Sequence, residues 1–295
     1  MVDRVVVPGL LPVQDGGGGE RGDVPSSRMD VLAPRFPTSR ERRSLPGSLP
    51  LAVTSTLLLG IGFLAGGSVR AAARVRRMRA RGRQVPAVVH DTALPGSGPA
   101  RRLAVVGDSA AAGHGLSEAR QAYTHLVASE LHHRDARATT VTNVAVDGAT
   151  IGEVIADQLD AVRGAELVIV GVGVNDAIRR HRPSRVRREM DALFAGVHER
   201  VAPGAAIVLI SAPDLCVAPG LPALLRPPLG VLCRSTARAQ AEVADAWGVP
   251  VVALPRQVLP PEVFGDDGFH PGPVGHARLA QGVLARLGEL EPSAS

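Results

Sequence analysis

The sequence predicts an α/β fold, a three-layer α/β/α sandwich around a parallel, about five-stranded sheet, on three observations. Five short runs, LAVVG (103–107), VTNVAV (141–146), LVIVGVGV (167–174), AIVLIS (206–211) and VPVVAL (249–254), are nearly all apolar and rich in β-branched residues. Stripes of apolar residues at helical spacing lie between them. The runs do not alternate apolar with polar, so each strand is expected to be buried on both faces, as in parallel sheets.

Four segments divide the chain. Residues 1–48 are rich in Gly, Pro, Ser and Arg, carry GGGG at 16–19 and show no sustained periodicity, so no packed structure is expected there. Met29 is a second candidate start. Residues 49–69 hold no charge over 21 positions, the length a membrane-spanning helix needs. Arg40, Arg42 and Arg43 precede this stretch, and seven arginines follow between 70 and 83. A buried core helix rarely carries such flanks, so a single-pass membrane segment is expected. The heavier basic flank after residue 69 favours a cytoplasmic catalytic side. A cleaved signal, which Ala71–Ala73 would suit, would export it instead. Residues 70–100 read as an Arg-rich stretch and then a Pro/Gly linker, and 101–290 as the folded domain.

Composition narrows the partners. Of 295 residues 45% are apolar but only 2% aromatic, so the core must be made of Ala, Val, Leu and Ile. The net charge is +5, and many of the basic residues precede residue 84. No aromatics interleave with them, which argues against single-stranded nucleic acid, and the adjacent apolar run favours a membrane surface. Cys216 and Cys233 form no disulfide framework and no zinc spacing. They are expected as reduced thiols, or as one bridge if the domain is exported.

The helices are legible in order. Thr150 and Glu153 have capping-box spacing, with Ile155, Leu159 and Val162 on one face and Gly164 beyond the end. Val186, Met190, Leu193, Phe194, Val197 and Val201 form a second stripe, which is core.

In such sheets functional groups gather at the carboxyl ends of the strands. Those ends read Gly107-Asp108-Ser109, Asp147-Gly148, Gly173-Val174-Asn175-Asp176 and Ser211-Ala212-Pro213-Asp214, and after the fifth strand comes DDGFHPGPVGH (266–276). Singly each is a cap or a turn. Together they supply a nucleophile, hydrogen-bond donors and an acid–base pair on one sheet edge. Phosphate-binding glycine patterns are absent around GDSAAAGHG (107–115), which argues against a nucleotide. His114 and His276 lack ligand spacing and read as a loop and a helix residue.

Residues 101–288 resemble the SGNH (GDSL-type) hydrolases, in a subgroup common among high-GC Gram-positive bacteria. Four blocks carry the resemblance: Gly107-Asp108-Ser109, Gly148 in NVAVDGAT (143–150), Asn175 in GVGVNDA (171–177), and Asp267-Gly268-Phe269-His270-Pro271. The nucleophile block reads GDSAAAG rather than GDSLTxG, which leaves the acyl pocket open but keeps the serine.

The resemblance implies Ser109 as nucleophile, His270 as its base and Asp267 as the acid that orients His270. It also implies an oxyanion hole of the Ser109 and Gly148 backbone N–H groups and the Asn175 side-chain amide. The chemistry is consistent, because a serine hydroxyl needs an adjacent base and the developing oxyanion needs fixed donors. Asp108 is expected to brace the nucleophile loop or to cap its first turn. Asp266, off the family spacing, is expected to be a solvated neighbour. No metal or organic cofactor is implied. The expected function is hydrolysis of carboxylic esters of lipids, sugars or small molecules. Carbohydrate deacetylation, thioester cleavage or acyl transfer at the same site, and a catalytically silent membrane-tethered binding module, stand as alternatives.

Overall fold

The computed structural model describes residues 91–253 and 260–290. The apolar stretch at 49–69, expected to cross a membrane, lies outside them. Among the described residues no helix is long and apolar enough to do so.

Six strands form one sheet: β1 (Thr92–Leu94), β2 (Ser97–Gly107), β3 (Arg137–Asn143), β4 (Leu167–Gly171), β5 (Ala206–Ile210) and β6 (Val251–Val252). Their order is β1-β3-β2-β4-β5-β6. Five strands run parallel, and β1 adds an antiparallel edge against β3. The sheet is therefore mixed and starts earlier than the sequence suggested. Residues 92–100, read as the end of a linker, contribute β1 and the first turn-side residues of β2. Their Gly/Pro composition hid them, since an exposed edge needs no apolar pattern. The pairing of β2 with β3 shifts register between Ser97 and Arg101, the stretch that contains Pro99.

Helices α1 (Tyr123–Asp135), α2 (Ile151–Asp157), α3 (Val174–Ile178), α4 (Pro183–His198), α5 (Arg226–Ala246) and α6 (Pro273–Leu290) complete the layers. Alternate strand residues face opposite ways. Val106, Val168, Val170, Ile207 and Leu209 pack with Val154, Val186, Met190, Phe194 and Ala239 of α2, α4 and α5. Val105, Ile169, Val208 and Ile210 pack on the other face with Val127 of α1 and with Leu279 and Val283 of α6. Both faces of the strands are thus buried, which is why the runs show no alternation.

The capping box forms as its spacing indicates: the Glu153 N–H reaches Thr150 Oγ1 at 3.4 Å and the Thr150 N–H reaches Glu153 Oε2 at 2.7 Å. The helix it starts is shorter than the stripe suggested. It ends at Asp157, and a 3-10 turn at Leu159–Val162 carries Leu159 and Val162 into the core. Cys233 is buried in a small apolar cluster with residues of α3.

Candidate active site

Ser109 stands where β2 ends. A Cβ on Gly107 would lie 2.1 Å from the Gly171 carbonyl oxygen, so only glycine lets β2 and β4 close up at this point. The Asp108 N–H then donates to Gly171 O at 2.9 Å, and Ala112 and His114 donate back to Asp108 O and Ser109 O, both at 3.0 Å. Helical turns therefore hold the serine above the sheet edge. Beneath them, buried Gln158 accepts from the Gly107 N–H at 2.7 Å and donates to Gly107 O at 3.0 Å. Gln240 fastens the neighbouring strand ends in the same way, accepting from Ala212 N–H at 2.9 Å and donating to Val172 O at 2.8 Å.

The segment after β6 brings its acid–base pair to the same edge. His270 Nε2 lies 3.0 Å from Ser109 Oγ, and His270 Nδ1 lies 2.5 Å from Asp267 Oδ2. Asp267 Oδ1 accepts from the Phe269 and His270 N–H groups at 2.8 and 3.0 Å. The turn is closed by Gly265 N–H donating to His270 O and by Gly220 N–H donating to Gly268 O. Rings flank the imidazole: His114 at 4.9 Å, tilted by 32°, and Phe269 edge-on at 5.0 Å. Asp266 is exposed, whereas Asp267 is partly buried.

Asn175 reaches the segment just after Gly148. Asn175 sits in the first turn of α3, and its side-chain amide donates one N–H to Ala149 O at 3.1 Å, leaving the second hydrogen of the same nitrogen to point elsewhere. Gly148 adopts φ +80°.

Electrostatics separate the carboxylates. Burial pushes the Asp108 carboxyl up to about 7, offset in part by the Ala110 N–H and by His270, and reinforced by Asp176 and Asp147. Its Oδ1 accepts the Ala110 N–H at 3.2 Å, so Asp108 caps the turn that carries Ser109. Burial also raises Asp267, but the His270 hydrogen bond and charge and two backbone N–H groups outweigh it, so its carboxyl stays below the usual range. His276 is buried in α6, accepts the Tyr123 N–H through Nδ1 at 3.2 Å and is pushed down to about 4 by burial.

Among the described residues, one group of side chains has cation-binding spacing: Asp176, His181 and Glu189, with ligand atoms within 4.8 Å of one another. Its hydrogen bonds account for much of this closeness. Asp176 Oδ1 meets His181 Nδ1 at 2.8 Å, and Oδ2 accepts the Ile151 N–H at 3.1 Å.

A family model of GDSL-like lipases and acylhydrolases matches residues 105–278, more than half of the chain. The chain belongs to the GDSL-like lipase/acylhydrolase family. It is 28% identical over 259 residues to the GDSL-like esterase Rv1075c of Mycobacterium tuberculosis, covering 80% of each chain. Two solved structures share the fold. A lipase/acylhydrolase from Enterococcus faecalis is 22% identical, with a TM-score of 0.51 over 66% of this chain and 100% of that one. An acetyl-xylooligosaccharide esterase from Geobacillus is 20% identical, with a TM-score of 0.52 over 65% of this chain and 95% of that one.

Sequence reasoning on this GDSL chain did not find Gln158 and Gln240, because a glutamine in an apolar helix pattern looks like a surface residue. His114 was read as a plain loop residue, yet it is buried against His270. Arg179, which donates to Gly148 O at 3.0 Å, was lost among its arginine neighbours. Its position four residues after Asn175, one helical turn on, was the available signal.

Proposed function

We propose that this family member hydrolyses carboxylic esters with Ser109 as nucleophile, His270 as general base and Asp267 as the orienting acid. The observation that carries the reading is the continuous chain Ser109 Oγ–His270 Nε2 at 3.0 Å and His270 Nδ1–Asp267 Oδ2 at 2.5 Å. As Ser109 Oγ bonds to the acyl carbon, its proton passes to His270 Nε2, and Asp267 balances the imidazolium through Nδ1–H. The carbonyl oxygen becomes an oxyanion held by the Ser109 and Gly148 N–H groups and the Asn175 amide. Collapse expels the alcohol, which takes the proton from Nε2. Water then attacks the acyl-serine, with His270 again the base, releasing the carboxylic acid and restoring Ser109.

Beside the site, Val174 and Ile178 of α3 and Phe269 pack against buried Leu215 and Leu221, and Phe269 lies edge-on to His270 at 5.0 Å. We also propose, from the charge-free stretch at 49–69, that the domain is tethered to a membrane. Cysteine-accessibility labelling in intact cells reads the side on which the domain lies, and release of the full chain from membranes by high salt alone would contradict the tether.

A panel of p-nitrophenyl esters of rising acyl length, run beside acetylated sugars and acyl thioesters, tests the activity. Turnover of the esters that is lost in Ser109→Ala is expected. No turnover of any of them by the folded full chain would favour a silent binding module.

A further inference from the structure

The turn that carries Gly148 is exposed at Val146 and Asp147, just before the glycine. A Cβ built on Gly148 meets nothing within 4 Å. One side of the turn is anchored, with Ala149 in the main apolar cluster and the Val146 N–H donating to Gly107 O at 3.1 Å, and three polar tethers from the segment of α3 hold the other. Asn175 donates to Ala149 O at 3.1 Å, Asp176 accepts from Ile151 N–H at 3.1 Å, and Arg179 donates through Nη2 to Gly148 O at 3.0 Å. The first two hold the residues after Gly148, and the third holds Gly148 itself.

The other arm of Arg179 has a fixed partner. Its Nη1 meets Glu153 Oε1 at 3.1 Å, while Glu153 Oε2 accepts from Thr150 N–H at 2.7 Å. The guanidinium and the capping box thus join residues 148, 150 and 153 into one unit. The Glu153 carboxyl is pulled down to about 2, first by the Thr150 N–H, then by the Thr150 hydroxyl and Arg179, so it remains charged as a partner. Arg179 is also fixed relative to Asn175, since its own N–H donates to Asn175 O at 2.9 Å.

We infer that Arg179 is a positioning residue that clamps the Gly148 turn against Asn175, so that the two donors contributed by different segments face one oxyanion. The inference rests on the oxyanion hole proposed above. It assigns Arg179 no contact with substrate. Two partners at once require the planar fork of arginine, and a lysine ammonium in its place holds only one firmly.

Steady-state kinetics on one p-nitrophenyl ester, with matched thermal melts, test this in Arg179→Met, Arg179→Lys, Asn175→Ala and the double variant Arg179→Met/Asn175→Ala. Displacement of a donor by a fraction of an ångström is expected to lower kcat of Arg179→Met by roughly 10–100-fold, with KM within about 3-fold. Arg179→Lys should fall between that variant and the parent. Arg179 acts on the Gly148 donor, which Asn175→Ala leaves in place, so the double variant should be slower than either single one. Should Arg179→Met melt early, Arg179→Lys carries the comparison. A crippled Asn175→Ala beside an Arg179→Met enzyme at the parent's rate would overturn the inference alone, as would a loss confined to KM. Asn175→Ala at full rate would overturn the oxyanion reading and this inference with it.

Discussion

Asp267 grips His270 twice: Oδ1 accepts the His270 backbone N–H at 3.0 Å, and Oδ2 faces the imidazole Nδ1 at 2.5 Å. Three residues of sequence separation thus set both the place and the tautomer of the ring. Asp267→Asn is expected to cost at least ~100-fold in kcat, within the range of triad effects. Asp266→Asn, at an exposed neighbour, should stay within a few-fold. The measurement is kcat/KM on one ester for purified variants with matched melts. A crippled Asp266→Asn beside a healthy Asp267→Asn would contradict the assignment.

Gly148 and Asn175 should respond differently to substitution. Asn175→Ala deletes a donor and is expected to lower kcat by roughly 100–1,000-fold with little change in KM. At Gly148 a side chain meets open space, so its cost comes from the backbone, which sits at φ +80°. Gly148→Ala should therefore lose activity through a shifted turn, and Gly148→Val should lose more, because a β-branched residue resists that conformation. Pre-steady-state acylation rates report the loss. Equal, parent-like acylation in all three would count against this oxyanion hole.

Asp108 and Asp267 should bend the stability curve in opposite directions. Asp108 has its folded pKa raised to about 7, so its ionisation in the unfolded chain, near 3.9, precedes that in the folded one. Its penalty accrues as pH rises from about 4 to 7 and then stays constant. Asp108→Asn, a neutral mimic of the protonated acid, should gain in melting temperature relative to the parent between pH 4 and pH 8. Asp267 has its folded pKa lowered, so it stabilises above its unfolded value and loses that contribution as pH falls through the folded one. Asp267→Asn should therefore be less stable than the parent at pH 7, and the difference should vanish once pH has fallen below the lowered folded value. Melting temperatures across pH check both, and parallel curves would refute them.

Gln158 bonds both the N–H and the carbonyl of Gly107 beneath Ser109. Gln158→Leu leaves the buried Gly107 N–H without this acceptor, at roughly 1–3 kcal/mol, while Gly107 O keeps the Val146 N–H at 3.1 Å. The expected result is a lowered midpoint in urea with an unchanged slope, and a fall in kcat as the Ser109 turn loosens. A midpoint equal to the parent's would show that the turn holds without this brace.

Local chemistry explains what could be read from the sequence. Strands β2 and β4 were legible because burial on both faces demands unbroken apolar runs, and the Thr150 cap because its spacing is a direct consequence of helix geometry. Ser109 stood out at the end of an apolar run, and Asp267 and His270 through the four blocks that resemble the SGNH hydrolases. The strand at Thr92–Leu94 was not legible, since an exposed edge strand leaves no apolar signature. Gln158, Gln240 and Arg179 were hidden for another reason: their partners are backbone atoms far along the chain, and backbone atoms leave no mark in a sequence.

The central claim is that Ser109 carries the acyl group, activated by His270. The most direct measurement is the site of covalent attachment of a serine-directed fluorophosphonate, read by intact mass and peptide mapping. The account predicts one equivalent on Ser109, loss of ester turnover in proportion to labelling, and labelling slowed at least ~100-fold in His270→Ala. Labelling on another residue, or ester turnover that persists in folded Ser109→Ala, would contradict it.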